Sequence, residues 1–333
     1  MRPYGFVIPS FTTIQDDPNA ITAQDGFQLE ARLGAEAKFD GGRPGLLGAN
    51  LEIDLTPTPL LKDTYVYLHP LPFLRFDLGQ FKVPYSVGYL ASDTRRLLPA
   101  TPASLSGSTN RDMGFMVTGT VPVHGKTVAT VQAGAFNGEG PDRLQNVNQR
   151  FLYAVRGVIT PFGAREKVFE GSDGNLYLGV GGAYLYNWIG DGDSSEEINQ
   201  YAGEAQFAWR LISVQGEFLY GQHAYASAAV SDFNSSGWYG TVSSFIPARW
   251  CRKHLQLVAR VGENEPDDQV VGDPTGQVLP KALEVTGGVD VYWLVPPRPF
   301  EDVKLQLAYS HLDELEGDQF LNDTFTAAAS LRF

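Results

Sequence analysis

Residues 27–39, FQLEARLGAEAKF, alternate apolar and polar without a fault over thirteen positions. Phe27, Leu29, Ala31, Leu33, Ala35, Ala37 and Phe39 fall on one side, and Gln28, Glu30, Arg32, Gly34, Glu36 and Lys38 on the other. A period of two means a strand with one apolar and one polar face. Strands in soluble domains usually run about 5–6 residues. One this long needs apolar surroundings along one face and water along the other.

The pattern recurs down the chain. Leu47, Ala49, Leu51, Ile53 and Leu55 form a second apolar face, Met113, Phe115, Val117, Gly119, Val121 and Val123 a third. Leu176 to Trp188, Tyr201 to Trp209 and Val303 to Tyr309 alternate in the same way, and no amphipathic helix of comparable length competes. The chain reads as all-β, with sixteen strands beginning near residues 5, 27, 45, 62, 74, 113, 126, 151, 176, 200, 212, 236, 254, 282, 302 and 323. Alternate connections are short, such as PLPF at 70–73 and HG at 124–125. Those between them are mostly longer and polar, such as QDDPNAITAQDG, GDGDSSEEINQ and GENEPDDQVVGDPTGQ. Short turns at one end and long loops at the other are the pattern of a transmembrane antiparallel barrel. Residues 56–63 are short for a loop in that scheme, and 161–175 long for a turn.

A sandwich would also alternate, with its apolar faces turned into a core. Length separates the two. Phe27 and Phe39 share a face twelve residues apart, which is about 40 Å of strand. Tilted by about 45°, that projects to nearly 28 Å, close to an apolar band about 25 Å tall between aromatic girdles. The C-terminal FTAAASLRF places Phe325, Ala327, Ala329, Leu331 and Phe333 on one face. An alternating strand closed by a terminal Phe resembles the signal read by outer-membrane barrel-assembly machinery, so Phe325, Leu331 and Phe333 are candidate assembly residues.

A net charge of −13 argues against a nucleic-acid partner. Cys251 is the single cysteine, so no intrachain disulfide forms. RPYGFVIPS after Met1 lacks the apolar core of a secretion signal, which leaves a cytosolic chain or one whose signal is already removed. The expectation is one barrel domain over 1–333, without metal or cofactor.

DGFQLEARLGAEAKFDG (25–41) resembles an early strand of the phosphate-selective porins of the O and P type. LRFDLGQFKVPYSVGYLASDTRRL (74–97) resembles their most distinctive segment, a G-Q-F-K-x-P strand end before a long loop. NRDMGFMVTG (110–119) resembles the strand leaving that loop. The resemblance covers about fifty residues of the first third. It implies a sixteen-stranded trimeric porin of a Gram-negative outer membrane, contacting bilayer and lipopolysaccharide, with its third loop folded into the lumen.

The polar faces then become the lumen wall. Inward acids are Glu30, Glu36, Glu52, Asp54, Asp77, Glu204, Glu217, Glu284 and Asp290; inward bases are Arg32, Lys38, Arg75, Arg156, Arg210, Arg260, Lys304 and Arg332. Nine against eight is near balance. Such charges are costly in a dry core and cheap against water, which points to passive diffusion of small hydrophilic solutes and ions. The loop at 84–112 is the candidate constriction, with Arg95, Arg96 and Arg111 against Asp93 and Asp112. Strand-end ion pairing is the competing role for Arg111 and Asp112. No lysine occurs between Lys82 and Lys126, so the lysine-bearing loop of phosphate-binding members is missing. Two rivals remain, a plugged or adhesive barrel and an outer-membrane hydrolase. The latter lacks a nucleophile motif beside His69, His124, His223, His254 or His311.

Overall fold

The computed structural model describes residues 1–15, 26–39, 46–56, 60–105, 111–141, 143, 145–163, 174–192, 195–227, 230–248, 254–268, 281–293, 302–316 and 322–333. Cys251 and most of QDDPNAITAQDG lie outside them. The strands are β1 (Arg2–Ile14), β2 (Gly26–Phe39), β3 (Leu47–Asp54), β4 in two pieces (Leu60–Leu61 and Thr64–Leu71), β5 (Leu74–Lys82), β6 (Arg111–Val123), β7 (Lys126–Phe136) and β8 (Leu152–Ile159). They continue as β9 (Gly174–Ile189), β10 (Glu196–Arg210), β11 (Ile212–Tyr225), β12 (Phe233–Phe245), β13 (Leu255–Glu265), β14 (Ala282–Tyr292), β15 (Asp302–Glu314) and β16 (Thr324–Arg332). Both pieces of β4 pair with β3, so they form one interrupted staff of the wall.

Every strand pairs antiparallel with its chain neighbours, and β1 pairs with β16 from Phe6↔Arg332 to Ile14↔Thr324. The sheet is therefore a closed sixteen-stranded barrel without a free edge. At the seam Phe333 exchanges two backbone hydrogen bonds with Gly5, each 3.0 Å. A Cβ on Gly5 would lie 2.8 Å from the Phe333 ring, so glycine lets the terminal aromatic lie flat on the wall.

The short connections are tight. His124 and Gly125 both have positive φ, 47° and 76°, as a two-residue turn of the primed type requires. Pro72 and Phe73 join β4 to β5. GDGDSSEEINQ is shorter as a loop than its composition implies, because β9 runs to Ile189 and β10 starts at Glu196.

The faces are inverted relative to a water-soluble protein. Leu29, Leu33, Leu51, Val180, Phe218, Leu257 and Leu307 point outward and are exposed, while Arg32, Glu52, Asp77, Glu204 and Arg260 point inward and are buried. Soluble proteins do not expose apolar surface on this scale. Lipid satisfies it, and a closed wall satisfies the backbone. The folded barrel is expected to be extracted only with detergent and to migrate differently on gels before and after boiling. A monomer freely soluble in plain buffer would contradict the assignment of the faces.

Candidate functional site

The connection between β5 and β6 turns into the barrel at Val83. It forms a short helix, α1 (Val87–Leu90), and two single 3-10 turns, Asp93–Arg95 and Ala103–Leu105. A buried loop must find partners for its own N–H and C=O groups, and the charged wall supplies them. Glu217 on β11 accepts from the backbone N–H of Val87 at 2.9 Å and Gly88 at 3.2 Å, and Glu284 on β14 accepts from Ala103 N–H at 2.8 Å. Lys82 donates to the Ala91 carbonyl at 2.6 Å, closing the C-terminal end of α1. Arg260 donates to Ala100 O at 2.9 Å, and Lys304 donates to Arg96 O at 2.6 Å. Acids of the wall hold loop N–H groups, and bases hold loop carbonyls. Arg260, Glu284 and Lys304, expected to face water, are instead spent on fixing the loop.

Beneath the loop lies an apolar seat that the alternation argument did not anticipate. Phe81, Met116, Phe136, Leu152, Leu185, Leu219 and Tyr239 are buried wall residues packed with Val83, Tyr85 and Leu105 of the loop. Most occupy positions where alternation calls for polar side chains. The sequence carries a signal for them: in Phe218-Leu219-Tyr220 and Tyr184-Leu185-Tyr186 both faces are apolar at once. A strand with lipid on one side and water on the other has no use for that.

The loop's middle is tied to the wall by charge. Asp93 bonds Arg96 at 2.9 Å and reaches Arg32 of β2 at 2.8 Å. Burial works against the Asp93 charge, but Arg96 and then Arg32 hold its carboxyl below the usual aspartate range. A carboxyl lowered on folding stabilises above its unfolded value. This tie is therefore lost only as pH falls below about 3.9. Arg32 also faces Glu52 at 3.4 Å, Asp54 at 3.5 Å and Glu30, with its guanidinium 5.1 Å from the Phe6 ring centre. Arg95 is half-buried on the same turn. Arg96 donates to Thr101 at 2.6 Å, so much of its capacity for a passing anion is already engaged.

Arg111 and Asp112 stand apart from this group. Arg111 is buried against Asp63 at 2.9 Å. Asp112 accepts from Met113 N–H at 2.7 Å and from Gly138 N–H at 2.5 Å, which secures the next loop. Both serve as strand-end anchors, since β6 begins at Arg111.

Elsewhere on the wall the charges come in pairs. Arg75 grips Asp77 at 2.8 and 2.5 Å and lies over the Tyr67 ring at 4.5 Å. Arg156 grips Glu204 at 3.0 and 2.6 Å and touches Gln132. Glu36 accepts from the Tyr67 hydroxyl at 3.2 Å and lies 3.3 Å from Lys38, whose side chain is exposed. Arg210 leaves the lumen set altogether. Its φ of 54° at the β10–β11 turn takes it out of alternation, and it stacks 4.3 Å from the ring of outward Trp209.

Phe325 and Leu331 sit on the outer face of β16, beside the Phe333 seam. Comparison with solved structures returns barrels of this kind. Salmonella typhi OmpF, in a complex with daunomycin, superposes with a TM-score of 0.65 at 11% identity, covering 100% of this chain and 97% of that one. The anion-selective porin from Comamonas acidovorans gives 0.61 at 12% identity, covering 99% and 98%. The outer membrane channel DcaP of Acinetobacter baumannii gives 0.61 at 14% identity, covering 100% and 96%. No protein-family model and no curated protein sequence matches the chain. The likeness is one of fold, end to end.

Proposed function

We propose that the chain is a porin of a Gram-negative outer membrane, a single barrel domain that lets small hydrophilic solutes and ions diffuse passively. One observation carries the reading: a closed barrel, apolar outside and charged inside, holds a loop within its lumen by its own wall charges. Such a wall satisfies lipid on one side and water on the other. Phe325, Leu331 and Phe333 fit the assembly signal, and the outward apolar face fits a bilayer with lipopolysaccharide. A homotrimer is the assembly we expect, in keeping with the trimer form of Vibrio cholerae OmpT, a barrel of similar fold (TM-score 0.57, 9% identity).

The pairing of Arg75, Arg156 and Arg260 with Asp77, Glu204 and Glu284 argues for weak selectivity. Fixed charges in close pairs project little field into the path. The 93–96 turn, with one acid against two arginines, leaves a mild anion preference at the loop. Phosphate specificity does not come over from the family the early strands resemble, since the loop has no lysine and its Arg96 is engaged by Asp93.

Planar-bilayer recording tests the reading. The purified protein is expected to open stepwise ohmic channels with a small reversal potential of anion sign across a salt gradient. Arg95→Ala with Arg96→Ala should raise relative cation permeability, because Asp93 keeps its charge while two cations go. Absence of any conductance would favour a plugged barrel. Micromolar phosphate block of the chloride current would overturn the weak-selectivity argument.

A further inference from the structure

Glu217 is unusual among the charges of the wall. It is 4% exposed, and among the described residues no Lys or Arg lies within ion-pair distance of it. Four donors meet its two oxygens instead. Val87 N–H reaches Oε1 at 2.9 Å; Gly88 N–H at 3.2 Å, the Ser86 hydroxyl at 3.0 Å and the Tyr239 hydroxyl at 3.1 Å reach Oε2. Three of the four belong to the inward loop and sit at the start of α1, where backbone N–H groups have no partner within the helix. The fourth comes from β12, the next strand of the wall.

Each side of this contact needs the other. A buried carboxylate without a cation is costly unless several donors surround it. The N–H groups of Val87 and Gly88 would be equally costly in the apolar seat if no acceptor met them. Close approach is built in, since a Cβ on Gly88 would lie 2.5 Å from Leu105, 3.0 Å from the Tyr239 oxygen and 3.4 Å from Glu217 Oε2.

We propose that Glu217 is the positioning residue that latches the inward loop to the wall, and that the path left open through the lumen is set by this latch. The effect on permeation rests on the porin reading above; the latch itself does not. Removing the carboxylate charge leaves the barrel closed, because the backbone pairing of Glu217 with Glu204 and Tyr239 does not depend on it and the Tyr239 hydroxyl is its one side-chain bond to the wall. The loop end around α1 then lifts from its seat.

The test uses Val87→Cys in a Cys251→Ser background, labelled in detergent with a membrane-impermeant maleimide. Val87 is 3% exposed, so its thiol reacts only when the loop lifts. Glu217→Gln keeps the size of the side chain but replaces one acceptor oxygen by an amino group facing N–H donors. It is expected to raise the labelling rate on the order of tenfold or more. Tyr239→Phe, which removes one donor and keeps the carboxylate, should give a smaller rise. Leu219→Ala trims the same seat without touching the latch and serves as the control for packing. In bilayers, Glu217→Gln should add open-channel current fluctuations that Leu219→Ala does not. Labelling unchanged by Glu217→Gln, or matched by Leu219→Ala, would overturn the latch whether or not the protein conducts. Fast labelling with quiet, unaltered channels would overturn its control of the path. A wild type that never conducts would remove the porin reading and leave the labelling result to stand alone.

Discussion

Arg32→Met is expected to destabilise the barrel by about 3 kcal/mol and to turn its ion preference toward cations. Arg32 stands among Glu30, Glu52, Asp54 and Asp93, and its side chain is 9% exposed. Removing one member of a buried ion group costs about 3–5 kcal/mol when its partners are left charged and unpaired; here Asp93 keeps Arg96 and Asp54 keeps Lys62, while Glu30 and Glu52 lose their cation. Lumen water can reach part of this group, which places the loss at the lower end. Methionine keeps most of the stem volume against Phe6, so the loss reports charge more than packing. Guanidinium unfolding of the detergent-solubilised protein, followed by tryptophan fluorescence, measures the first effect; reversal potential measures the second. The sign of the second follows from arithmetic, since one cation leaves and four carboxylates stay. A midpoint unchanged within error would mean that water screens these charges fully and that the group holds nothing together.

The residues that made the barrel legible are those whose behaviour is set by immediate neighbours. The alternation from Phe27 to Phe39 fixes which side faces out, and β2 runs Gly26–Phe39 as that pattern requires. The starts of the strands were readable to within a few residues because turns such as His124-Gly125 are chemically marked. What decides the lumen is not local. Glu217 meets Ser86 across 131 positions and Lys304 meets Arg96 across 208, and nothing in either neighbourhood names its partner. Inward charges could be counted from the sequence, but whether each faced water or held a loop could not. Arg210 departs from the alternation for a narrower reason: it is the last residue before a turn, and its φ of 54° ends the strand pattern there. Leu185 and Leu219 show the opposite case. They broke the pattern visibly, and the break marked the seat of the loop.

Leu33→Arg is expected to impair assembly and Glu36→Arg to be tolerated, although the two positions are three residues apart on one strand. Leu33 is mid-strand on the outer face of β2, opposite Gly5 of β1 and Ile53 of β3. It is 50% exposed in the bare barrel. In a bilayer that exposure is contact with hydrocarbon, where an arginine costs roughly 2–4 kcal/mol near the midplane. Glu36 points the other way, taking a hydrogen bond from Tyr67 and lying beside Lys38 at the wet end of the wall. An arginine there loses one part-buried hydrogen bond, worth roughly 1 kcal/mol, and gains an unfavourable neighbour in Lys38 that water screens. Folding yield into lipid vesicles, read from the gel shift on boiling, separates the two. If Glu36→Arg blocked folding while Leu33→Arg left it intact, the two faces of β2 would have to be exchanged, and every lumen assignment built on that parity would go with them.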